Sequence, residues 1–520
     1  TSSCCCGPPE PCAGSRGGTV ALLRHMAEFA AWLCRHRAQA ACLALATLLL
    51  LFLRALSLPL SEPRADQSQF LAYAYNMLQH GTFSAGGRDR PRADQMREPG
   101  YPLMLAAGML LHPGLDLDRD KAGCVTKGDD GCLPAVTWLK LVNLLFVGLS
   151  ALAAFAALLA LTGRAWLGWL GLFWVGLSAG YAQFAGLMFF AEGVVGFLIV
   201  ALSLALWRIA GGRTARRHWF AGGLLLGALV MTKATFYYLA PLLAVALAAH
   251  AAWRGTASRR EAAILGAVFL AGTLVLTVPW HLRNLVSTGD TSLAGRAGLV
   301  LMTRANYDGL TSDEMLAAAA LFSPSGSVPD RYLAGWLTPE REAKLDGPDN
   351  PRAKAFVRFD QLRRQMRVAA YSPQLDAAMK TEAMARIREQ WPRHLQATLL
   401  FGYRGLFPER GLGFPPMDGG PTTLGRRTLG FDAGGWFLSR PLAASLALFL
   451  PAFAAFAFCV ATGRWPYVFL MLPAAYLYGI QALMTHYIPR YSTALIPMLV
   501  VMALLSAWAV WSRVSASASR

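Results

Sequence analysis

Residues 262–284 read AAILGAVFLAGTLVLTVPWHLRN. The run 262–281 is uncharged until it reaches His281, and it has the length of about 20 apolar residues that a helix needs to cross the hydrocarbon core of a bilayer. It predicts a membrane span. Pro279-Trp280 is open to a plain reading as an interfacial anchor with a helix stop, and His281 and Arg283 place ionisable groups at the mouth of that span. Working outward, the same reading finds runs upstream at 38–58, 135–162, 165–184, 190–208, 219–233 and 235–252, and downstream at 441–461, 465–484 and 490–511. That makes about ten spans. The run 219–233 is short and broken by Gly222, Gly223 and Gly227; losing it together with its neighbour would keep the parity of the rest.

Composition agrees. Of 520 residues, 55% are hydrophobic and 15% charged, against about 25% charged in soluble domains, and the mean hydropathy is +0.39. A soluble protein is excluded. The 48 Lys and Arg outnumber 30 Asp and Glu, a net charge of +18; in a multispan chain this reads first as basic residues kept in cytoplasmic loops beside anionic lipid, and no nucleic-acid partner is expected. Arg164, the stretch 208–218, the stretch 254–260, Arg464, Arg513 and Arg520 follow every second span. Arg16, Arg24, Arg35 and Arg37 precede the first. Both termini are therefore expected in the cytoplasm. No cleavable signal peptide is expected, because the first apolar run is too long and no small-residue cleavage site follows it.

The predicted domains are a disordered cytoplasmic leader (1–37), an N-terminal transmembrane module (38–281), a large outer segment (282–440) and a C-terminal three-span module (441–520). The fold class is all-α and polytopic. The first outer loop, 59–134, contains two stretches too short to span, Asp66–His80 and 99–112, expected as helices lying in the interface. In the large outer segment, Asn350-Pro351 and Ser372-Pro373 each give an N-cap followed by proline at the first helical position. Met384, Ile387 and Trp391 then form one apolar stripe. Cys124 and Cys132 flank a turn-forming KGDDG stretch in an exported loop and are candidates for a disulfide. Cys4, Cys5, Cys6 and Cys12 lack ligand spacing, and Cys34, Cys42 and Cys459 read as small apolar residues in or beside spans.

Ionisable groups at membrane depth or span mouths are costly and mark function. By the predicted topology, one set shares the outward side. Asp66 follows the first span, Arg97 and Glu98 precede the second interfacial helix, Glu192 opens the fourth span, and Lys233 lies between the fifth and sixth. His281 and Arg283 end the seventh, and His486 and Arg490 precede the tenth. An acid among cations beside lipid suits a reaction on a lipid-borne anion: the carboxylate takes a proton from an acceptor while Arg or Lys holds a phosphate. Plainer roles stay open. Asp66 caps a helix, Glu192 pairs with a neighbouring base, Arg97, Lys233 and Arg283 snorkel to headgroups, and Tyr101, Tyr487 and Tyr491 belong to an aromatic belt. The pentapeptide PRADQ occurs at 63–67 and again at 91–95, so Asp94 competes with Asp66 as the working acid. Asp66 is preferred for its distance from the first span and its place before an aromatic helix.

Four features resemble the GT-C membrane glycosyltransferases, in particular the protein O-mannosyltransferase and lipid A aminoarabinose transferase group (glycosyltransferase family 39-like). They are Asp66 leading a Tyr-rich helix that ends at Gly81; REPGYPL at 97–103; PWHLRN at 279–284; and Arg490-Tyr491 with Pro497. Glu192 sits where many members carry an acid. The resemblance covers most of 38–300 and the last three spans. It implies a GT-C bundle with outer-face juxtamembrane helices and an inverting transferase using a polyprenyl-phosphate sugar. Asp66 would be the base or acceptor-orienting group, and Arg97 would bind the donor phosphate. From their shared outward side, Glu192 is a further catalytic candidate, and Lys233 and Arg283 are further phosphate-binding candidates. The remaining outer-face candidates are Asp94, Glu98, Tyr101, His281, His486 and Arg490.

The acceptor would be an envelope glycan, lipid or protein, and the setting the bacterial inner membrane with a periplasmic site. No cofactor is required; a divalent metal held by His281 or His486 with an acid is conceivable but not indicated. The chain departs from the family in having Asp66-Gln67 where many relatives have Asp-Glu, and Glu98 in place of a proline. It also lacks a WWD-like motif, the nearest text being FDAGGW at 431–436, which argues against an oligosaccharyltransferase. The rival reading, a transporter or lipid flippase, predicts two similar halves with Gly/Pro-broken helices, and the sequence has no such halves.

Overall fold

The computed structural model describes residues 37–55, 66–86, 91–111, 133–178, 181, 188–323, 327–407, 441–488 and 490–518. The Cys124 and Cys132 pair, the leader cysteines, Cys34 and the stretch 431–436 lie outside them. The chain divides into two units, Thr1–Ala46 and Thr47–Arg520. Of the first, only the opening turns of helix α1 (Arg37–Ala55) are described, an apolar stretch with Cys42 exposed. Everything that follows concerns the second.

Among the described residues every regular element is helical. The first outer loop carries α2 (Asp66–His80) and α3 (Gly100–Leu110), the two short helices expected there. Then come α4 (Leu133–Thr162), α5 (Ala165–Leu177), α6 (Glu192–Ala210), α7 (Arg216–Thr232), a 3-10 turn (Ala234–Tyr238), α8 (Leu239–Trp253) and α9 (Arg259–Thr288). The outer segment supplies α10 (Ala297–Asp308), α11 (Ser312–Phe322), α12 (Val328–Leu333), α13 (Pro339–Asp346), α14 (Pro351–Met366), α15 (Pro373–Glu389) and α16 (Trp391–Gly405). The chain returns through α17 (Pro441–Ala461), α18 (Trp465–Met484), the single turn α19 (Arg490–Thr493) and α20 (Ile496–Ala518). Among the described residues, six helices are long and apolar enough to cross a membrane: Trp138–Thr162, Glu192–Ala210, Ala234–Trp253, Arg259–Thr288, Trp465–Met484 and Ile496–Ser515. Shorter apolar helices accompany them. The molecule is a multi-pass membrane protein.

Two local readings change. The helix stop expected at Pro279 is absent: α9 runs through that proline to Thr288 and ends at Gly289, whose φ of 74° and N–H to the Leu285 carbonyl make a left-handed cap. A proline within a span is tolerated because neighbouring groups meet the freed carbonyl. The apolar stripe Met384, Ile387, Trp391 is also broken. α15 ends at Glu389 and Trp391-Pro392 opens α16, so Trp391 turns outward while Leu375, Met379, Ala383 and Ile387, four apart, fill the core against α10 and α14. That outer core is pinned by a buried cluster in which Asp308 accepts from Arg304 and, at 2.7 Å, pairs with His394 Nδ1.

The glycines of 219–233 are seam residues. A Cβ on Gly223 would lie 1.9 Å from the Phe269 carbonyl oxygen, and one on Gly272 would lie 2.4 Å from that of Phe220. α7 and α9 thus touch backbone to backbone, the small-residue packing that replaces the hydrophobic drive inside lipid; Thr273 Oγ1 donates to the Gly223 carbonyl at 3.0 Å across the seam. α6 is the hub, packed on α4, α7, α18 and α20. Its N-terminus, Glu192, ends where the functional cluster begins.

Candidate active site

The first outer loop is built before the site is. Gly81 ends α2 with φ 59°, and Asn76 Nδ2 donates to the carbonyls of Ser84 (2.8 Å) and Gly86 (3.0 Å), folding the chain back. Phe83 stacks on Tyr73 and meets Trp280 edge-on. Arg283 donates to the carbonyls of Asp94 (2.8 Å) and Phe83 (3.1 Å) and lies over the rings of Phe83 and Trp280. His281 Nδ1 faces the Thr291 carbonyl at 2.5 Å, and Asn284 holds Ser292. The PWHLRN stretch thereby fixes the loop to the end of α9.

Asp94 belongs to this scaffold. It accepts from the Tyr73 hydroxyl, the backbone N–H of Ala85 (2.9 Å) and Met96 (3.1 Å), and the Ser84 hydroxyl (3.4 Å). Burial, reinforced by that carboxylate, pushes the Tyr73 hydroxyl pKa well up, so it remains a donor. Glu98 accepts from the Ala234 N–H at 3.0 Å, anchoring the loop to the turn after Lys233. Gly100 seats α3 on α7, since a Cβ there would meet Thr232 Oγ1 at 2.7 Å. Tyr101, fully buried, donates to Asn143 Oδ1 at 3.0 Å.

Asp66 sits differently. At the first turn of α2 its carboxylate receives Arg97 on one oxygen and Arg490 (2.6 Å) on the other, with Arg296 3.8 Å away. Arg97 also donates to Gln69 Oε1 and lies over Phe70. Arg490 lies over Phe190, with its Nε 3.7 Å from Glu192 Oε1. Gln67 accepts from the Phe189 N–H at 3.1 Å, which fixes the segment that presents Phe190. Lys233 Nζ rests 4.7 Å over the Tyr491 ring. Burial alone would raise the Asp66 pKa, but Arg97, Arg490 and Arg296 together outweigh it and hold the carboxyl far below its ordinary range.

The structure therefore joins Asp66, Arg97, Glu192 and Arg490 in one cluster, with Lys233 one ring away. Arg283, Asp94, Glu98, Tyr101 and His281 surround it as framework. His486 lies beside it; burial, followed by the nearby Arg404, Arg352, Arg296 and Arg490, pushes its pKa down to about 3, so the ring is neutral at physiological pH. Buried Nε groups of Arg296 and Arg490 have no hydrogen-bond partner among the described residues. The same residues contain no group of three or more His, Cys, Asp or Glu placed to hold a metal ion. Arg296, Gln69 and Phe190 were not singled out from sequence, and Gln67 only as a departure from the Asp-Glu pair of many relatives. Arg296 follows the PWHLRN stretch by a dozen residues inside a segment with no motif, and only folding brings it to Asp66.

No family model matches the chain, and no curated protein matches it. Among solved structures it is similar to the archaeal oligosaccharyltransferase AglB from Archaeoglobus fulgidus, solved with an inhibitory peptide and a dolichol-phosphate, at 12% identity and a TM-score of 0.45. The match covers 94% of this chain and 52% of that one, so the chain spans about half its length.

Proposed function

We propose that the chain is a GT-C-type membrane glycosyltransferase that moves a sugar from a polyprenyl-phosphate donor to an acceptor at the outer face of a bacterial inner membrane. The observation that carries this reading is the charge balance around Asp66. Arg97, Arg296, Arg490 and Lys233 outnumber Asp66, Glu192 and the nearby Glu98, and two buried guanidinium Nε groups have no hydrogen-bond partner among the described residues. Buried charge without a counterion is unfavourable, and an anionic headgroup entering here would supply both the missing charge and the missing acceptors.

Asp66 among arginines is a weak base in the free protein. A donor phosphate competing for Arg490 and Arg296 would withdraw the positive field that keeps the carboxylate proton-free, and its basicity would rise toward the ordinary range. The acceptor hydroxyl oxygen then forms a bond to the anomeric carbon as the bond from that carbon to the phosphate oxygen breaks. The hydroxyl proton passes to Asp66 and on to water, the phosphate leaves with the bonding electron pair, and the anomeric centre inverts. Arg97 and Arg490 neutralise charge growing on the leaving phosphate, the electrostatic contribution that is usually largest, and holding both reactants in line supplies much of the rest. Glu192 holds Arg490 in place. The 282–440 segment, reaching the site through Arg296, is assigned acceptor choice among envelope glycan, lipid or protein.

The test is sugar transfer by the purified chain in lipid, with labelled polyprenyl-phosphate sugars, comparing wild type with Asp66→Asn and Asp94→Asn. Loss of transfer in the first alone is expected. Transfer surviving Asp66→Asn would remove the base assignment, and lipid translocation without any transfer would favour a flippase.

A further inference from the structure

Helix α16 of the outer segment has two apolar faces. One is buried, with Ala397, Leu400 and Phe401 in a core shared with Tyr478 and Tyr487. The other carries Trp391, Leu395 and Leu399, which are 51%, 46% and 76% exposed. A step of four residues turns a helix by about 40°, so these three side chains form one continuous stripe. A helix apolar on opposite sides is at home in a core or in lipid, whereas a surface helix in water keeps its second face polar.

The same helix is fastened to a membrane span. A Cβ on Gly405 would lie 2.7 Å from the Tyr487 ring and 3.0 Å from that of Tyr478, and the Tyr478 hydroxyl donates to the Gly402 carbonyl. Tyr478 belongs to the apolar span Trp465–Met484, six residues before its last, or about 9 Å of helix inside that end. The C-terminal half of α16 therefore stands level with spanning helix, and the exposed stripe starts at Leu399, less than one turn from Gly402. Toward the other end of α16 the chemistry changes in order, from Leu399 and Leu395 to Trp391, with Arg388 and Arg393 exposed beside it and one exposed carboxylate, Glu389. Aliphatic, then aromatic, then net basic is the sequence met in passing from acyl chains through the interface to anionic headgroups.

We propose that α16 seats this stripe in the bilayer, with Leu399 and Leu395 among acyl chains, Trp391 at headgroup level, and Arg388 and Arg393 against anionic lipid phosphate. The outer segment is then partly embedded and not wholly bathed in water. Arg404, at the far end of α16, donates to the His486 carbonyl at 3.1 Å, so lipid contact along one helix fixes the height of the segment over the Asp66 cluster. Lipid contact is read without turnover and holds whether or not the chain transfers sugar.

The full chain is placed in phosphatidylcholine nanodiscs with a fluorescent amino acid introduced at Leu399, at Leu395 or, as a control, at Glu342, an exposed position on the charged helix α13. All three positions are exposed, so the label displaces no core group, and matched melting curves establish the fold. Bromine at two depths in the acyl chains and iodide in the water are the quenchers. The labels at Leu399 and Leu395 are expected to respond to bromolipid and not to iodide, at a depth about 5–10 Å inside the headgroup boundary, and the label at Glu342 to iodide alone. Exchanging phosphatidylcholine for phosphatidylglycerol should deepen the Leu395 label, and Arg388→Gln with Arg393→Gln should abolish that shift. Iodide quenching at Leu399 without bromolipid quenching would mean that the stripe stands in water, and protection from both quenchers would mean that a second copy or another protein covers it; either overturns the proposal. A depth at Leu395 that ignores phosphatidylglycerol would overturn the headgroup contact of the two arginines.

Discussion

The pentapeptide PRADQ occurs twice, 28 residues apart by the numbering of its aspartates, Asp66 and Asp94, and its two copies have opposite surroundings. Asp94 is satisfied by neutral donors, a phenol, a serine hydroxyl and two backbone N–H groups. Asp66 faces three guanidinium groups delivered by the loop before α3, the start of α10 and the turn before α20. The glutamines diverge too. Gln67 holds the Phe189 N–H, whereas Gln95 clamps Asp290 and Thr288 at the end of α9. Neutral donors consume a carboxylate; cations held in excess around one leave the site able to take a second anion. One copy builds the loop, and the other is the proposed base.

The comparison is broken most directly by Asp66→Asn, for which turnover should fall by about 10²–10⁴-fold, the usual weight of a positioned base. Binding of lipid phosphate should hold or tighten, because three arginines lose their counterion. A parallel fall in binding would mean that Asp66 only shapes the pocket. Next in size, Arg490→Gln should cost about 10²-fold in kcat/KM, the loss typical of one donor to a developing anion, whereas Arg283→Gln, whose donors are spent on carbonyls, should act through thermal stability instead. Steady-state kinetics and melting curves on the two variants separate these outcomes.

Asp94→Asn is a smaller perturbation. It trades charge-assisted hydrogen bonds for neutral ones at about 1–3 kcal/mol, seen as a lower Tm with turnover kept in the folded fraction; a kinetic defect as deep as that of Asp66→Asn would erase the distinction between the copies. The smallest effect concerns pH. His486 is neutral in the folded chain down to about 3, whereas an unfolded histidine takes up a proton near about 6.5. Stability must therefore decline as pH drops below that value, and His486→Gln should flatten part of the decline. Asp66 titrates the other way round in origin but not in direction: its depressed pKa contributes stability fully above about 3.9 and loses it only below. A Tm profile from pH 7 to pH 4 that is identical in wild type and His486→Gln would contradict the burial of that ring.

Much of this was legible in sequence because it is written in local patterns. Apolar runs gave the long helices, the stretches Asp66–His80 and 99–112 gave the two short ones nearly to the residue, and placing Asp66, Arg97, Glu192 and Arg490 on one side followed from counting alternate basic connections. What was hidden depends on contacts between distant segments. Arg296 has no local signature, and Gln67 and Gln69 look like solvated residues until their partners arrive from other helices. The glycines 222, 223 and 227 look like helix breaks until Phe269 and Thr273 lie against them. Pro279 looks like a stop because its effect on a span depends on neighbours that sequence does not name.

Arg296 also bears on engineering. Exchanging acceptor specificity between related enzymes invites transplantation of the outer segment as a cassette, with cuts at the obvious polar boundary after α9. A cassette joined at Gly289, the left-handed cap of that helix, would carry the host's third guanidinium away with it, and a donor segment lacking a basic residue at the equivalent place would yield a chimera one charge short. Placing the junction between Arg296 and α10 keeps that charge with the host, but cuts against Gly298, where a Cβ would lie 2.3 Å from the Asp376 carbonyl oxygen of α15. On the proposed reading, the segment assigned acceptor choice and the guanidinium assigned to the donor are thus spliced within three residues of each other, so neither could be exchanged without redesigning the other.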